Sequence, residues 1–348
     1  MNIEEIFNGA ADLRASDVHL SNNLPVFYRI DGVLKPVKNW PNLKHESILS
    51  LIEPIIDQKQ KDLLFKNKNL ELSYQIKNDI RLRISIYWEK NSLSLAARLV
   101  SPKIPTIEEI DLPKSIYKLA EFKEGLVLVT GPTGCGKSTT LAAIIDYINE
   151  KRACHIITLE DPIEFVFKPK KSVISQRELG RDMISFQSAL KHIVRQDPNV
   201  ILVSEMRDLE TIALAITLAE TGHLILATLH TPNAPQTIDR IIDIFPTGQQ
   251  RQIGLQIALA LRAIISQHLL PKKDGGRVAA REILINTPAV ANLIRENKIA
   301  QIRSAIQTGS QAGMYTLEQD LKRLYRQGSI TLETATAHAN YPEEILRE

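Results

Sequence analysis

The sequence predicts an α/β protein in which a small α+β domain precedes a larger domain built on a mostly parallel, doubly wound sheet. Three observations support this interpretation. Residues 1–100 contain strand-like runs joined by hairpin-type turns. Residues 101–113 contain three prolines, a composition typical of a stiff connection. From residue 114 to 348, short apolar strands alternate with amphipathic helices, which is the pattern of a parallel sheet with helical crossovers.

Two hairpins are predicted in the first domain. The run from Pro25 to Val37 divides into two strands around Asp31-Gly32, and a second pair of strands is joined at Asn78-Asp79. We place the end of this domain at residue 100 and treat residues 101–113 as the linker, because prolines disfavour both helix and sheet there.

A set of arginines shares the polar face of this first domain. Arg81 and Arg83 alternate with apolar residues along one strand, and Arg98 occupies the polar face of the next. If the two strands are adjacent, the three side chains lie together. From the pattern alone, the simplest interpretation is a solvated sheet face.

The second domain is predicted from four apolar strands, each followed by a helix or a polar turn. The strands are GLVLVT, HIITLE, VILV and HLILATLH, and the helices between them carry apolar stripes with helical spacing. Asp208 is suited to cap the helix LETIALAITLAET, and Gly222 is suited to end it. Residues 287–348 are predicted to be helical.

Bulk properties exclude several classes of protein. The net charge is +3 over 348 residues, and no basic segment is interleaved with aromatic residues, so a nucleic-acid partner is not expected. Cys135 and Cys154 are the only cysteines, which rules out a four-cysteine zinc site. The apolar stretch Ile253 to Ser266 is too short to span a bilayer. We therefore expect a cytoplasmic protein whose membrane association is at most peripheral.

The segment Gly131 to Ser138, GPTGCGKS, matches the phosphate-binding pattern G-x-x-x-x-G-K-[ST]. It lies between a predicted strand and a predicted helix, which is the context that this motif requires. Lys137 is expected to reach the β and γ phosphates of a nucleotide, and Ser138 to bind Mg²⁺. Cys135 occupies a variable position of the loop and is interpreted as a packing residue.

Two of the predicted strands end in acidic residues. HIITLE ends in Glu160, is followed by Asp161, and reaches Glu164 after two apolar residues, whereas VILV leads through Ser204 to Glu205. Because parallel strands bring their carboxyl ends to one edge, these acids are expected near the phosphate loop. Glu205 would ligate Mg²⁺, and Glu164 would orient or activate the attacking water. The alternative is that both clusters simply cap helices.

His223 and His230 stand at opposite ends of the strand HLILATLH. Seven residues of strand separate them by roughly 23 Å, so they cannot bind one metal ion. His230 is placed to sense phosphate or to make a polar link, and His223 to serve a structural role; spacing alone leaves both roles open.

Taken together, these motifs resemble the secretion-ATPase superfamily and, within it, the PilT-like ATPases of type IV pilus retraction. The resemblance is carried by ASDVHLS, GPTGCGKSTTLAAIIDYIN, the acid box HIITLEDPIEF, RQDPNVILVSEMRDLETI and the histidine box AETGHLILATLHT. Further matches are TIDRIIDIFP, NTPAVANLIRENKIAQI and IQTGSQAGMYTLEQDL, so the resemblance covers nearly the whole chain.

The resemblance implies an ATP- and Mg²⁺-dependent homohexamer, each subunit having a PAS-like first domain and a RecA-like second domain with ATP between them. It implies peripheral location at the cytoplasmic face of the inner membrane, a membrane-embedded pilus platform protein as partner, and other pilus ATPases as further partners. Its Walker A residues map to Gly136, Lys137 and Ser138, its strand-end acid to Glu205, and its histidines to His223 and His230. The catalytic set that follows is Glu205, Glu164, Lys137, Arg83 and Arg98. The nucleotide-binding set is Gly131, Pro132, Thr133, Gly134, Cys135, Gly136, Lys137, Ser138, Thr139, Glu160, Asp161, His230 and Arg240, with Ser138 and Glu205 as metal ligands.

Two positions depart from the family pattern. Ser204 replaces the glycine usual before the strand-end glutamate, and Ala291 stands where retraction enzymes commonly have arginine. The alternatives that stay open are a pilus-assembly or secretion ATPase, whose members usually carry a further N-terminal domain and a four-cysteine site, and a nucleotide-binding accessory subunit with little hydrolysis. A DNA translocase shares the same core chemistry, and the weak net charge disfavours it.

Overall fold

The computed structural model describes residues 2–30, 32–38, 40–76, 80–100 and 103–346. Of the predicted features, Asp31 of the first turn, the Asn78-Asp79 turn and Pro102 of the linker lie outside the described residues. The chain divides into a first unit, residues 1–103 and 162–166, and a second unit, residues 104–161 and 167–348.

The described residues of the first unit form a six-stranded antiparallel sheet and three α-helices, an α+β arrangement. The strand order across the sheet is β3-β2-β1-β6-β5-β4. Its elements are α1 (Ile3–Asp12), β1 (Asp17–Leu20), β2 (Phe27–Ile30), β3 (Val33–Pro36), α2 (His45–Ile52), α3 (Gln58–Asn67), β4 (Asn69–Gln75), β5 (Arg81–Glu89) and β6 (Ser92–Val100).

The alternating pattern of β5 and β6 produces one buried face and one polar face. Leu82, Ile84 and Ile86 are fully buried in the core of this unit. The strands pair directly, and their register places Arg83 opposite Arg98. The predicted adjacency of these two arginines is therefore observed on the polar face of the sheet.

The second unit is built on a seven-stranded sheet with the strand order β13-β12-β7-β11-β10-β8-β9. All neighbouring strands run parallel except β12 and β13, which confirms the predicted mostly parallel α/β fold. The strands are β7 (Gly125–Thr130), β8 (His155–Glu160), β9 (Val173–Glu178), β10 (Val200–Val203), β11 (Leu224–Leu229), β12 (Leu261–Pro271) and β13 (Arg277–Ile285).

Helices cover this sheet and extend beyond it to the C-terminus. The predicted cap is observed: the Asp208 side chain accepts a hydrogen bond from the backbone N–H of Thr211 at the start of α7. The helices are α4 (Ser115–Glu121), α5 (Lys137–Lys151), α6 (Phe186–Ile193), α7 (Leu209–Glu220), α8 (Ala234–Asp243), α9 (Thr247–Ala260), α10 (Pro288–Arg295), α11 (Ile302–Thr308), α12 (Leu317–Arg326), α13 (Leu332–His338) and α14 (Pro342–Leu346).

Strand β12 is the main element that the sequence did not predict. Its apolar residues follow those of α9 without a break, because α9 ends at Ala260 and β12 begins at Leu261. A continuous apolar run has no period that separates a buried helix end from a buried strand. The strand matters for the site, because it pairs with β7, the strand that leads into the phosphate loop.

In the part of the chain that the structure describes, no helix combines the length and the apolar character that a membrane crossing requires.

Candidate active site

The phosphate loop connects β7 to α5, and its two end glycines are required by the backbone. Gly131 has φ +136°, and a Cβ atom there would lie 2.3 Å from the carbonyl oxygen of Gln267. Gly136, immediately before α5, has φ +91°. Only glycine adopts these conformations readily. The sequence therefore folds the loop tightly against β12 and directs it into the N-terminus of α5, where backbone N–H groups are available to an anion.

Lys137 is the first residue of α5, and its side chain folds back over the loop. Its Nζ donates to the carbonyl oxygens of Gly131, at 2.8 Å, and Pro132, at 3.1 Å. Ser138, the next residue, is exposed at the loop mouth. The ammonium group is thus held over the loop by two of the loop's own carbonyl groups.

His230 lies between Lys137 and Glu205. Its Nδ1 is 3.4 Å from Lys137 Nζ, and its Nε2 is 3.1 Å from Glu205 Oε1. Because β10 and β11 are parallel neighbours and β7 pairs with β11, the residues following these three strands meet at one edge of the sheet. The structure therefore brings together three of the residues singled out in the sequence.

Arg207 holds the carboxylate of Glu205 through both oxygens. The Arg207 Nη2 is 2.7 Å from Oε2, and its Nε is 2.7 Å from Oε1. The pKa of Glu205 is lowered below its usual value, mainly by the hydrogen bond from Arg207. Partial burial opposes this lowering, and His230 contributes further to it. Glu205 is therefore an ionised acid with fixed orientation.

A cavity of about 280 Å³ opens beside Glu205 and His230. Arg240, on α8, contributes to its wall together with Arg207. The acid and the histidine at the strand ends therefore face a space that Arg207 and Arg240 also line. Arg240 was expected at the nucleotide site, and the structure places it with Glu205.

The acid box is divided among three environments. Glu160 is buried, and its Oε1 accepts hydrogen bonds from Thr158, at 2.6 Å, and Gln176, at 3.0 Å. Asp161 is exposed. The hydrogen bond to Glu205 is the main cause that raises the pKa of the Arg207 guanidinium, and the charge of the nearby Asp161 adds to that rise. Glu164 lies in the segment 162–166, which groups with the first unit. Direct roles for Glu160, Asp161 and Glu164 at the nucleotide stay predictions.

Arg83 and Arg98 belong to the first unit. The Nε of Arg98 donates to Asp17 Oδ1 at 3.0 Å, and Asp17 also lies 3.5 Å from Arg29. Arg98 is mostly exposed despite this pair. Their proposed contact with phosphate stays a prediction.

The two histidines of the box have different surroundings. Nδ1 of His223 is 3.0 Å from the carbonyl oxygen of Leu218, in the last turn of α7. That contact satisfies a carbonyl at the helix end, which is a structural task. His230, in contrast, contacts Lys137 and Glu205.

Three further positions singled out in the sequence have packing or backbone roles. Cys135 is 2% exposed, and burial raises the pKa of its thiol, in agreement with a packing role. The backbone carbonyl of Ser204 accepts a hydrogen bond from Thr228, and its N–H donates to Leu159. Ala291 lies on α10, half-buried against the core of the second unit.

Two residues at the site were missed by the sequence analysis. Arg207 stands two positions after Glu205, and an arginine so close to a strand-end acid was a usable signal. Gln267 contacts the phosphate loop from β12, more than 120 residues away in sequence, and no local pattern marks it.

The whole chain is similar to proteins of known family. The sequence model of the family described as "Type II/IV secretion system protein" matches residues 1–339. The chain is 45% identical to the type IV pilus retraction ATPase PilT of Pseudomonas aeruginosa, covering 99% of this chain and 100% of that protein. It is 46% identical to a twitching motility protein of Neisseria gonorrhoeae, covering 91% of this chain and 85% of that protein. A crystal structure of the pilus retraction motor PilT with bound ADP superposes with a TM-score of 0.94 at 46% identity, covering 100% of both chains.

Proposed function

The chain belongs to the type II/IV secretion system protein family, and from that premise we propose that it is a PilT-like ATPase that powers retraction of a type IV pilus. The observation that carries the catalytic part of this proposal is the position of His230 between Lys137 of the phosphate loop and Glu205 of the strand end. A lysine, a histidine and an ionised acid at one sheet edge are suited to binding and hydrolysing a nucleoside triphosphate.

The phosphate loop binds the nucleotide through backbone N–H groups and through Lys137. The Lys137 ammonium exchanges the carbonyls of Gly131 and Pro132 for the β and γ phosphates, where it neutralises charge. The residues from Gly131 to Thr139 form this cradle, and the N-terminus of α5 adds a favourable dipole.

Glu205 is the acid that acts at the γ phosphate. The hydroxyl of Ser138 and the carboxylate of Glu205 are oxygen donors of the kind that Mg²⁺ prefers, and Mg²⁺ would neutralise phosphate charge there. Arg207 contacts both oxygens of Glu205, but a carboxylate has about four lone-pair sites, so the acid can engage a further partner while Arg207 stays bound. His230 helps to keep the carboxylate oriented.

The remaining functional assignments are part of the same proposal. Glu164 orients or activates the attacking water, and Arg83, Arg98 and Arg240 contact the nucleotide or a neighbouring subunit. Glu160 and Asp161 support the acid box. The protein acts as a homohexamer, bound peripherally at the cytoplasmic face of the inner membrane to a pilus platform protein, with other pilus ATPases as further partners. The support for these assignments is the family resemblance of the whole chain.

A biochemical experiment tests the ATPase. Purified protein is expected to hydrolyse ATP with Mg²⁺, and Lys137→Ala or Glu205→Gln is expected to abolish nearly all turnover. Lys151→Ala, at the other end of α5, and Glu210→Gln, on α7, are matched controls that should retain it. Unchanged turnover in either active-site variant contradicts the assignment, and a protein that binds ATP without turnover indicates an accessory subunit.

A cellular experiment tests the direction of the motor. Deletion of the gene should leave an excess of surface pili that do not retract, and complementation with the Lys137→Ala variant should not restore retraction. Absence of pili after deletion would instead assign the protein to pilus assembly.

A further inference from the structure

Gln267, on β12, is buried against the phosphate loop, and both ends of its amide are used there. It is 1% exposed. Its Nε2 donates to the carbonyl oxygen of Cys135 at 2.7 Å, and its Oε1 accepts from the hydroxyl of Thr140 at 2.9 Å. One side chain thus joins the middle of the loop to the first turn of α5.

The same residue also approaches both end glycines of the loop. Its backbone carbonyl oxygen occupies the space that a Cβ atom on Gly131 would need, at 2.3 Å. Its Nε2 lies 3.3 Å from the position of a Cβ atom on Gly136. Gln267 therefore touches the loop near its start, middle and end, and the loop cannot move away from β12 without losing these contacts.

The neighbouring residue, Ser266, makes a different kind of contact. Its hydroxyl is 2.8 Å from the hydroxyl of Thr130, the last residue of β7, with which it is in register. Ser266 therefore fixes strand to strand before the loop begins, whereas Gln267 reaches the loop itself.

We propose that Gln267 is a positioning residue that holds the phosphate loop in the shape in which its N–H groups converge on phosphate. The inference rests on the proposed ATPase function and adds a specific requirement to it. Since Gln267 is buried behind the loop, it does not touch the nucleotide. Its loss leaves the Cys135 carbonyl without this partner and lets the loop relax, so binding suffers before the chemical step does.

The test compares Gln267→Met with Ser266→Ala. Methionine has similar length and no hydrogen-bonding amide, and Ser266→Ala removes one buried hydrogen bond from the adjacent position. Both variants are expected to lose stability. Only Gln267→Met is expected to raise the Kd for mant-ADP and the KM for ATP by about tenfold, which corresponds to about 1.4 kcal/mol, with kcat changed less than about twofold.

Gln267→Glu provides a second variant if the methionine protein does not fold. It keeps an acceptor for Thr140 but loses the donor to the Cys135 carbonyl, so it should show the same rise in Kd and KM. Equal Kd and KM in wild type and in the folded Gln267 variants would overturn the proposal and leave Gln267 as an ordinary core residue.

A chemical readout reports the loop without using the nucleotide. In a Cys154→Ser background, Cys135 is the only thiol of the chain. Iodoacetamide should label it slowly in that background, faster after Gln267→Met, and at the background rate after Ser266→Ala. Equal labelling rates in the two variants would contradict the positioning role. If the parent protein neither binds nor hydrolyses ATP, the proposed function fails, while the labelling rates still report whether Gln267 holds the loop.

Discussion

The Nε2 of His230 lies 3.1 Å from Oε1 of Glu205, so the residue that follows β11 orients the acid that follows β10. The other ring nitrogen faces the Lys137 ammonium, 3.4 Å away. One imidazole therefore connects the group expected to bind phosphate with the group expected to act on it. Its loss should affect the chemical step more strongly than nucleotide binding.

His230→Ala is expected to lower kcat of ATP hydrolysis by about ten- to a hundredfold, because it removes a hydrogen bond of roughly 1.5 to 3 kcal/mol to a charged group. The KM for ATP should change less, because the loop that binds the phosphates is intact. The measurement is steady-state ATPase activity with Mg²⁺. His223→Ala is the control, since the ring of His223 contacts the Leu218 carbonyl at the other end of β11; an equal loss of kcat in the two variants would argue against a specific role for His230.

Arg207→Gln is expected to shift the acid limb of the ATPase pH profile to higher pH. Glu205 has its pKa lowered, first by the hydrogen bond from Arg207, so it stays ionised below the pH at which a free glutamate takes up a proton. Without Arg207 the acid protonates at higher pH and becomes inactive earlier on acidification. The measurement is kcat as a function of pH, with the exposed Arg251→Gln on α9 as control.

The same ion pair contributes little to folding. A depressed folded-state pKa stabilises the protein above the unfolded pKa and loses that stabilisation as pH falls through the folded value. Because the side chain of Arg207 is 71% exposed, solvent screening limits the contribution to at most about 1 kcal/mol. Arg207→Gln should therefore change urea unfolding at pH 7 only slightly, and a large loss of stability would mean that Arg207 has a structural role beyond this pair.

The sequence predicted the parts of the fold whose residues have a clean period. Strands β7, β8, β10 and β11 and the helices between them follow from apolar runs and caps, and these four strands position most of the site. It did not predict β12, because the apolar run of α9 continues into it, or β9, whose exposed and polar residues lie at the sheet edge. Sequence periodicity reports which residues are buried locally. Neither the junction between α9 and β12 nor the edge strand β9 has a periodicity of its own that would identify it.

Within the site, the sequence identified the residues that carry a motif and missed those that support them. Lys137, Glu205 and His230 follow strands and could be placed at one edge by topology alone. Gln267 reaches the loop only because β12 lies beside β7, and this pairing joins strands that are far apart in the sequence. For Glu164, sequence proximity to Glu160 suggested a shared site; the segment 162–166 groups with the first unit, and the role of Glu164 at the nucleotide stays a prediction.

Glu282→Gln is expected to remove a pH-dependent loss of stability. Glu282, on β13, is 5% exposed, and its Oε1 accepts from the N–H of Ala234 at the start of α8, at 2.8 Å. Burial raises the pKa of Glu282 to about 7 despite that hydrogen bond; Glu318 on α12 adds to the rise, and Arg303 on α11 opposes it. The folded protein therefore holds this proton over a range in which the unfolded chain has released it.

The direction of the effect follows from proton linkage. Folded Glu282 binds a proton more strongly than the unfolded chain, so its stabilising contribution is complete below about pH 4.5 and lost as pH rises to about 7. The loss amounts to about 3 kcal/mol, at roughly 1.4 kcal/mol for each pKa unit. Urea unfolding between pH 4.5 and 8 should show the wild type falling relative to Glu282→Gln by this amount. The exposed Glu333→Gln on α13 should parallel the wild type, and a pH-independent difference for Glu282→Gln would contradict the assignment.

Arg281→Met is expected to loosen the segment that precedes α4 and to destabilise the second unit. Successive residues of β13 point to opposite faces, so Arg281 faces away from Glu282. Its buried guanidinium donates to the carbonyl oxygens of Ile110, at 2.7 Å, and Asp111, at 2.9 Å. Methionine fills part of the volume but leaves both carbonyls without this donor, a loss of about 2 to 5 kcal/mol.

Two measurements separate this anchoring from a general loss of packing. Urea unfolding should show the loss for Arg281→Met and little change for Arg277→Met, an exposed arginine on the same strand. Native-state hydrogen exchange should show earlier opening at the backbone amides of Asp111 and Leu112, which bond within the turn to Glu108 and Ile107. The protein could be destabilised while these amides exchange no faster than in the wild type. In that case the lost free energy of unfolding comes from the core around Arg281, and the prediction that its guanidinium anchors this segment is wrong.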